Sequence, residues 1–132
     1  YEIGSGLVGS EMCIRDSRGA TLYIDRAQIE QVLINLIKNA KESCGQNTAP
    51  HIEVELEQVP GKVCSLTVRD NGEGILPEVI DKVFVPFFTT KPSGSGIGLS
   101  LCKQIMNLHG GTITVSSEIG KGSCFTLMFP GR

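Results

Sequence analysis

Arg69 to Leu101 reads R-D-N-G-E-G-I-L-P-E-V-I-D-K-V-F-V-P-F-F-T-T-K-P-S-G-S-G-I-G-L-S-L. It begins where an apolar strand, Val63 to Val68, runs out. In that strand Cys64, Leu66 and Val68 alternate with Ser65, Thr67 and Arg69. One carboxylate, Asp70, stands where the strand stops. Gly72 and Gly74 follow, then a loop with the aromatic pair Phe87 and Phe88, then Gly94, Gly96 and Gly98 opening a helix. Backbone amides at a helix start, unobstructed by side chains, form an anion site. A carboxylate to accept from an amine at one end and a phosphate cradle at the other suggest a purine nucleotide.

Each piece is unspecific by itself. A G-x-G-x-G run is as often a flexible loop, and D-x-G-x-G is often a turn. Their order on one chain, with a third piece upstream, makes the case.

With 132 residues the chain has room for one domain around one core. No apolar run approaches membrane-spanning length. A net charge of -2 argues against a nucleic-acid partner. Five cysteines without C-x-x-C or metal spacing read as thiols in a reducing compartment. His51 and His109 lie far apart, so a metal site made of protein side chains alone is not expected.

Residues 1–17, Y-E-I-G-S-G-L-V-G-S-E-M-C-I-R-D-S, have neither helical nor strand periodicity. They resemble the in-frame translation of a transposase-based sequencing-library adapter: Leu7 to Ser17 matches the adapter with its mosaic end, and Tyr1 to Ile3 the flanking primer. The segment is therefore set aside as a scar. It holds Glu2, Glu11 and Asp16 against Arg15, so eleven basic and eleven acidic residues remain. The expected domain is 18–132, short of its first native strand. That loss would bare a sheet edge, on which Leu7, Val8 or Met12 to Ile14 could settle.

Ala20 to Ile24 reads as a short strand. Asp25 is an N-cap with Gln28 three residues on. The helix runs to about Cys44, with Ile29, Val32, Leu33, Leu36, Ile37 and Ala40 as its apolar stripe. Gln31, Asn35, Asn39 and Glu42 border that stripe. Asparagine is a poor mid-helix residue, so Asn39 is either part of a solvated face or an amide oxygen for a hard cation such as magnesium. His51 to Gln58 alternates as a half-exposed strand whose Glu53, Glu55 and Glu57 row is a solvated face. Pro77 to Lys82 makes a short helix. Ser93 to Ser95 is expected to be mobile. Gly98 to Leu108 forms a second long helix burying Leu101, Cys102, Ile105 and Leu108, and Thr112 to Ser117 and Ser123 to Phe129 form a hairpin. The fold class is α/β (α+β): a two-layer sandwich of one mixed, mostly antiparallel sheet with about three helices on one face.

These residues carry a resemblance. I-N-L-I-K-N-A-K-E around Asn39 resembles the N box of the ATP-binding domain of sensor histidine kinases. Asp70 to Ile75 resembles its first glycine box, Phe84 to Lys91 its F box, Gly94 to Leu99 its second glycine box and Gly120 to Phe125 its last. The resemblance covers Arg18 to Pro130, and N-A-x-E with F-F-T-T-K and G-x-G-I-G-L-S is similar to the nitrogen-regulator group. It implies the Bergerat ATP-binding fold of the GHKL (HATPase) family, shared with gyrase, Hsp90 and MutL ATPases.

By that resemblance Asp70 accepts from the adenine amine, with Gly72, Gly74 and Ile75 in the same box and Thr126 among the water-linked ring contacts. Asn39 holds magnesium that bridges the phosphates, with Asn35 one turn away. Gly94, Gly96, Ile97, Gly98 and Leu99 line the phosphates of ATP. A lysine supplies charge to them; Lys91 is the lid candidate, and Lys38 and Lys41 stay open. Phe84, Phe87 and Phe88 pack the lid, dock a neighbouring domain, or belong to the core. Asn35 stands where hydrolytic relatives have a glutamate that activates water, and an amide is no base. Glu42 and Ser43 also depart from the family, where a basic residue and an aromatic are common.

The implied function is Mg–ATP binding and phosphoryl donation, in two-component signalling, to a histidine on a separate dimerisation domain, with a response regulator downstream. Neither His51 nor His109 has the setting of that acceptor, and no catalytic residue is expected in this stretch. The parent is expected to be a homodimer and this fragment a cytoplasmic monomeric domain; whether the parent is anchored in the bacterial inner membrane stays open. The alternatives are another GHKL ATPase, an anti-sigma-type serine kinase, or a nucleotide-binding module without activity.

Overall fold

A computed structural model describes residues 2–3, 11–15, 21–45, 48–59, 63–88 and 97–130. Asp25 starts the first long helix, α1 (Arg26–Ser43), and its Oδ1 accepts from the Gln28 N–H at 3.2 Å. That bond satisfies one of the unpaired N–H groups at a helix start. Ile29, Val32, Leu36 and Ala40 on its apolar stripe are buried. Two antiparallel strands follow, β4 (Ile52–Val59) and β5 (Val63–Asp70). A single turn, α2 (Pro77–Ile80), has Pro77 in its first turn. The second long helix is α3 (Gly98–Leu108), and the chain closes with β6 (Thr112–Glu118) and β7 (Gly122–Pro130).

The sheet order is β4-β5-β7-β6, antiparallel at every pairing. β7 therefore lies between β5 and β6. Leu66 faces Leu127, and Val68 faces Phe125. With Ile113 and Phe129 they meet α1 and α3 in one core. This is the two-layer sandwich the pattern implies: helices on one face, mostly antiparallel strands on the other.

Two details differ. The described strands form two sheets, not one mixed sheet. A second sheet joins β1 (Glu2–Ile3), β2 (Glu11–Arg15) and β3 (Thr21–Asp25) in that order, all antiparallel. Part of the segment set aside on its sequence thus supplies two strands, with Met12 opposite Ile24 and Ile14 opposite Leu22. Unpaired backbone along β3 attracts whatever extended chain lies near. Leu7 and Val8 lie outside the described residues.

The inward stripe of α3 also differs. Cys102, Ile105 and Met106 are buried, whereas Leu108 is 70 % exposed. At 100° per residue Leu108 stands roughly 200° around the helix from Met106. Among the described residues no helix is long and apolar enough to cross a membrane.

Candidate functional site

Asp70 closes β5 on the same face as Leu66 and Val68, because side chains alternate along a strand. That face is the buried one, and Asp70 is only 6 % exposed. Its Oδ1 accepts from the N–H of Gly72 at 2.9 Å and of Ser123 at 3.3 Å. Neither bond reaches Oδ2. A carboxylate this deep needs hydrogen-bond donors. One oxygen finds them in the backbone, and the other is left for a donor from outside.

Two loops meet over this carboxylate. The N–H of Gly120 donates to the Glu73 carbonyl at 3.0 Å, and the N–H of Ile75 donates to Ser117 Oγ at 2.7 Å. Gly74, between those two bonds, has φ of 80° and packs on the Glu118 carbonyl. Gly122 is glycine for two reasons: its φ is 129°, and a Cβ there would run into the Asp70 carbonyl. Asn71 ties the loop to the start of β4, its Oδ1 accepting from His51 N–H at 2.8 Å.

Ser123, and not Thr126, stands on the face of Asp70. Positions 123, 125, 127 and 129 share the inner face with Asp70, and all are buried. Thr126 stands on the outer face, between Thr67 and Thr114. Counting back by two from Phe129 was the signal available in the sequence.

A stripe along α1 spans the gap between the Asp70 loop and α3. Residues 35, 39 and 43 lie one helical turn apart on one side. At the far end Asn35 is clamped: Gln31 Nε2 donates to its Oδ1 at 3.0 Å, and its Nδ2 donates to the Gly98 carbonyl at 3.4 Å. At the near end the Ser43 carbonyl accepts from Glu73 N–H at 3.2 Å, and a Cβ on Gly72 would collide with Ser43. These anchors are about 12 Å apart along the helix axis. Half-buried Asn39 lies midway between them.

Beside Asn35, α3 opens at Ile97, Gly98 and Leu99. Ile97 supplies no side-chain cap, and the amides at a helix start are the groups that receive an anion. Lys91, Gly94 and Gly96, with the glycine-rich run around Ser93 and Ser95, lie outside the described residues. Lys38 and Lys41 are both exposed. Among the described residues no three His, Cys, Asp or Glu side chains gather to hold a metal. A cation here would rest on the Asn39 amide oxygen and on phosphate oxygens brought by a ligand.

The three phenylalanines part company. Phe84 packs edge-on against core Phe125, with ring centroids 6.3 Å apart. Phe87 is 75 % exposed at φ 68°, a left-handed conformation that costs a bulky residue energy. Phe88 is half-buried. His109 uses both ring nitrogens: Nε2 accepts from the Asp25 N–H at 3.0 Å, and Nδ1 lies 2.8 Å from the Ile105 carbonyl, to which it must donate. An imidazole so engaged is no phosphate acceptor.

The described residues thus place a buried acid near one end of α1, the start of α3 beside the other and an asparagine between. Residues 24–132 match the model of the histidine kinase-, DNA gyrase B- and HSP90-like ATPase family (HATPase_c). The sensor histidine kinase ZraS of Escherichia coli (strain K12) is 42 % identical over 109 residues, which are 83 % of this chain and 23 % of ZraS. The chain therefore spans about a quarter of that relative. The catalytic domain of histidine kinase ThkA aligns with a TM-score of 0.74 at 36 % identity, over 89 % of this chain and 76 % of that one. Full-length ShkA, solved in complex with AMPPNP, aligns at 0.74 and 25 % identity, over 86 % of this chain and 24 % of ShkA. By its match over most of its length, the chain belongs to the histidine kinase-, DNA gyrase B- and HSP90-like ATPase family.

Proposed function

We propose that this domain binds Mg–ATP, with adenine at Asp70 and the phosphates at the start of α3, and donates the γ-phosphoryl group to a histidine on a separate dimerisation helix pair of its parent. The observation that carries the reading is the buried Asp70 carboxylate, whose Oδ2 takes no backbone donor. The AMPPNP complex of ShkA and the names of the relatives support it. Transfer is favoured over hydrolysis because residue 35 is an asparagine held at both ends of its amide, which cannot take a proton from water. When bound, magnesium supplies positive charge to the phosphoryl oxygens; Asn39 is the residue to hold it. Asp70 orients the base, the first amides of α3 receive phosphate oxygens, and one of Lys38, Lys41 and Lys91 supplies charge to them. The phosphorylated histidine then serves a response regulator.

The test is titration with ATP and magnesium by calorimetry, followed by radiolabelled ATP with and without the parent's histidine-bearing helix pair. Saturable binding is expected, with label on the helix pair only. Label on this chain, or fast phosphate release, would overturn the proposal.

A further inference from the structure

Ser117 sits where the two loops over Asp70 meet, and its partners leave its hydroxyl one arrangement. The Ile75 N–H donates to Oγ at 2.7 Å and occupies one lone pair. The Gly122 carbonyl, 2.9 Å away, can only accept, so it takes the Ser117 hydrogen. Ser123 Oγ stands 3.1 Å from Ser117 Oγ, where only the second lone pair remains. With the Ser117 hydrogen on Gly122, Ser123 is the donor. Its single hydrogen is spent on Ser117, and its oxygen has only lone pairs to offer anything else.

Ser123 is 5 % exposed, and its N–H touches the Asp70 carboxylate. The two side chains at this end of the cleft are then acceptors only. Asp70 alone does not choose between purines: adenine offers an amino group, but guanine offers N–H donors as well. A second group of defined polarity does choose. We propose that Ser117 is a positioning residue for base specificity: it turns the Ser123 hydroxyl into an obligate acceptor, so that the edge beside Asp70 admits an amino-purine, directly or through a donating water, and rejects a 6-oxo purine. This deepens the nucleotide-binding reading and rests on it. A carbonyl at that edge would face oxygen lone pairs with no hydrogen between. If Ser123 kept its hydrogen, it could turn it toward that carbonyl.

The test measures Kd for ATP and for GTP by displacement of a fluorescent nucleotide, with magnesium present. Wild type is expected to prefer ATP. Ser117→Ala frees the Ser123 hydrogen and is expected to cut that preference by about tenfold, the scale of one hydrogen bond. Ser117→Thr keeps a hydroxyl and should keep the preference. If Ser117→Ala weakens both nucleotides equally, Ser117 is a structural brace only and the proposal falls. Should that variant not fold, Ser123→Ala decides: the preference drops if the Ser123 oxygen faces the base, and an unchanged preference overturns the proposal. A wild-type chain that binds neither nucleotide sinks the nucleotide reading and this one with it, a result distinct from an unchanged ratio.

Discussion

At residue scale, Asp70 was readable because it stands at the end of an alternating strand, where the next position on the buried face falls due. Asp70→Asn can still accept from the Gly72 N–H, yet it turns an amide N–H₂ toward the place of Oδ2. Loss of a charged hydrogen bond, about 1.5–3 kcal/mol, should weaken ATP about tenfold to a hundredfold in calorimetry, with little change in Tm. Ser123 was missed for a physical reason: resemblance put a hydroxyl in the neighbourhood, but only the strand's parity says which hydroxyl faces the acid. Cys102 is fully buried. Burial pushes its thiol up to about 11, against a smaller opposing contribution from a hydrogen bond with Asn35. It should resist thiol reagents at pH 8 in the folded chain and react after denaturation. Between about pH 8.5, where an unfolded thiol ionises, and the folded value, the unfolded chain has lost a proton that the folded chain keeps. The Cys102 contribution is then lost as pH rises through that window. Urea midpoints at pH 8 and pH 10.5 should diverge more for wild type than for Cys102→Ala.

At the scale of elements, helix bounds were legible because their determinants are local. Asp25 caps α1, and the histidine-glycine pair at 109–110 ends α3. The face of α3 was harder. Leu108 is apolar and sits near the right spacing, while Met106 lies closer to the centre of the inward arc. Met106→Ala should cost about 2–5 kcal/mol and Leu108→Ala less than about 0.5 kcal/mol, both read from urea unfolding. His109 joins two elements that are 84 residues apart in sequence. Its ring holds the end of α3 against the start of α1, the two helices that bracket the cleft. His109→Phe keeps the volume and strands a partly buried N–H at Asp25. It should cost about 1–3 kcal/mol; a milder loss in His109→Gln, which can still accept, would identify the hydrogen bond as the cause.

For the whole molecule, the layer architecture followed from counting apolar periods, while the division into two sheets did not. Strand pairing depends on which edge finds which partner, and residues 11–15 show no alternation that would announce β2. The meeting of the two loops over Asp70 is likewise a tertiary event, built on backbone approaches that Gly74 and Gly122 permit. Gly122→Ala forces a strained φ and a collision with the Asp70 carbonyl together. It should cost about 2–4 kcal/mol in urea unfolding, and ATP binding should fall further than stability alone accounts for.

The order β4-β5-β7-β6 has one more consequence, for the timing of assembly. Of these four strands β7 is synthesised last, yet it fills the middle of the sheet and brings Phe125, Leu127 and Phe129 to the core. Until residue 130 emerges, the free side of β5 has no neighbour and the helices have only half a floor to rest on. A nascent chain stalled at residue 118 should leave this domain protease-sensitive, and protection should arrive in one step once β7 clears the exit tunnel.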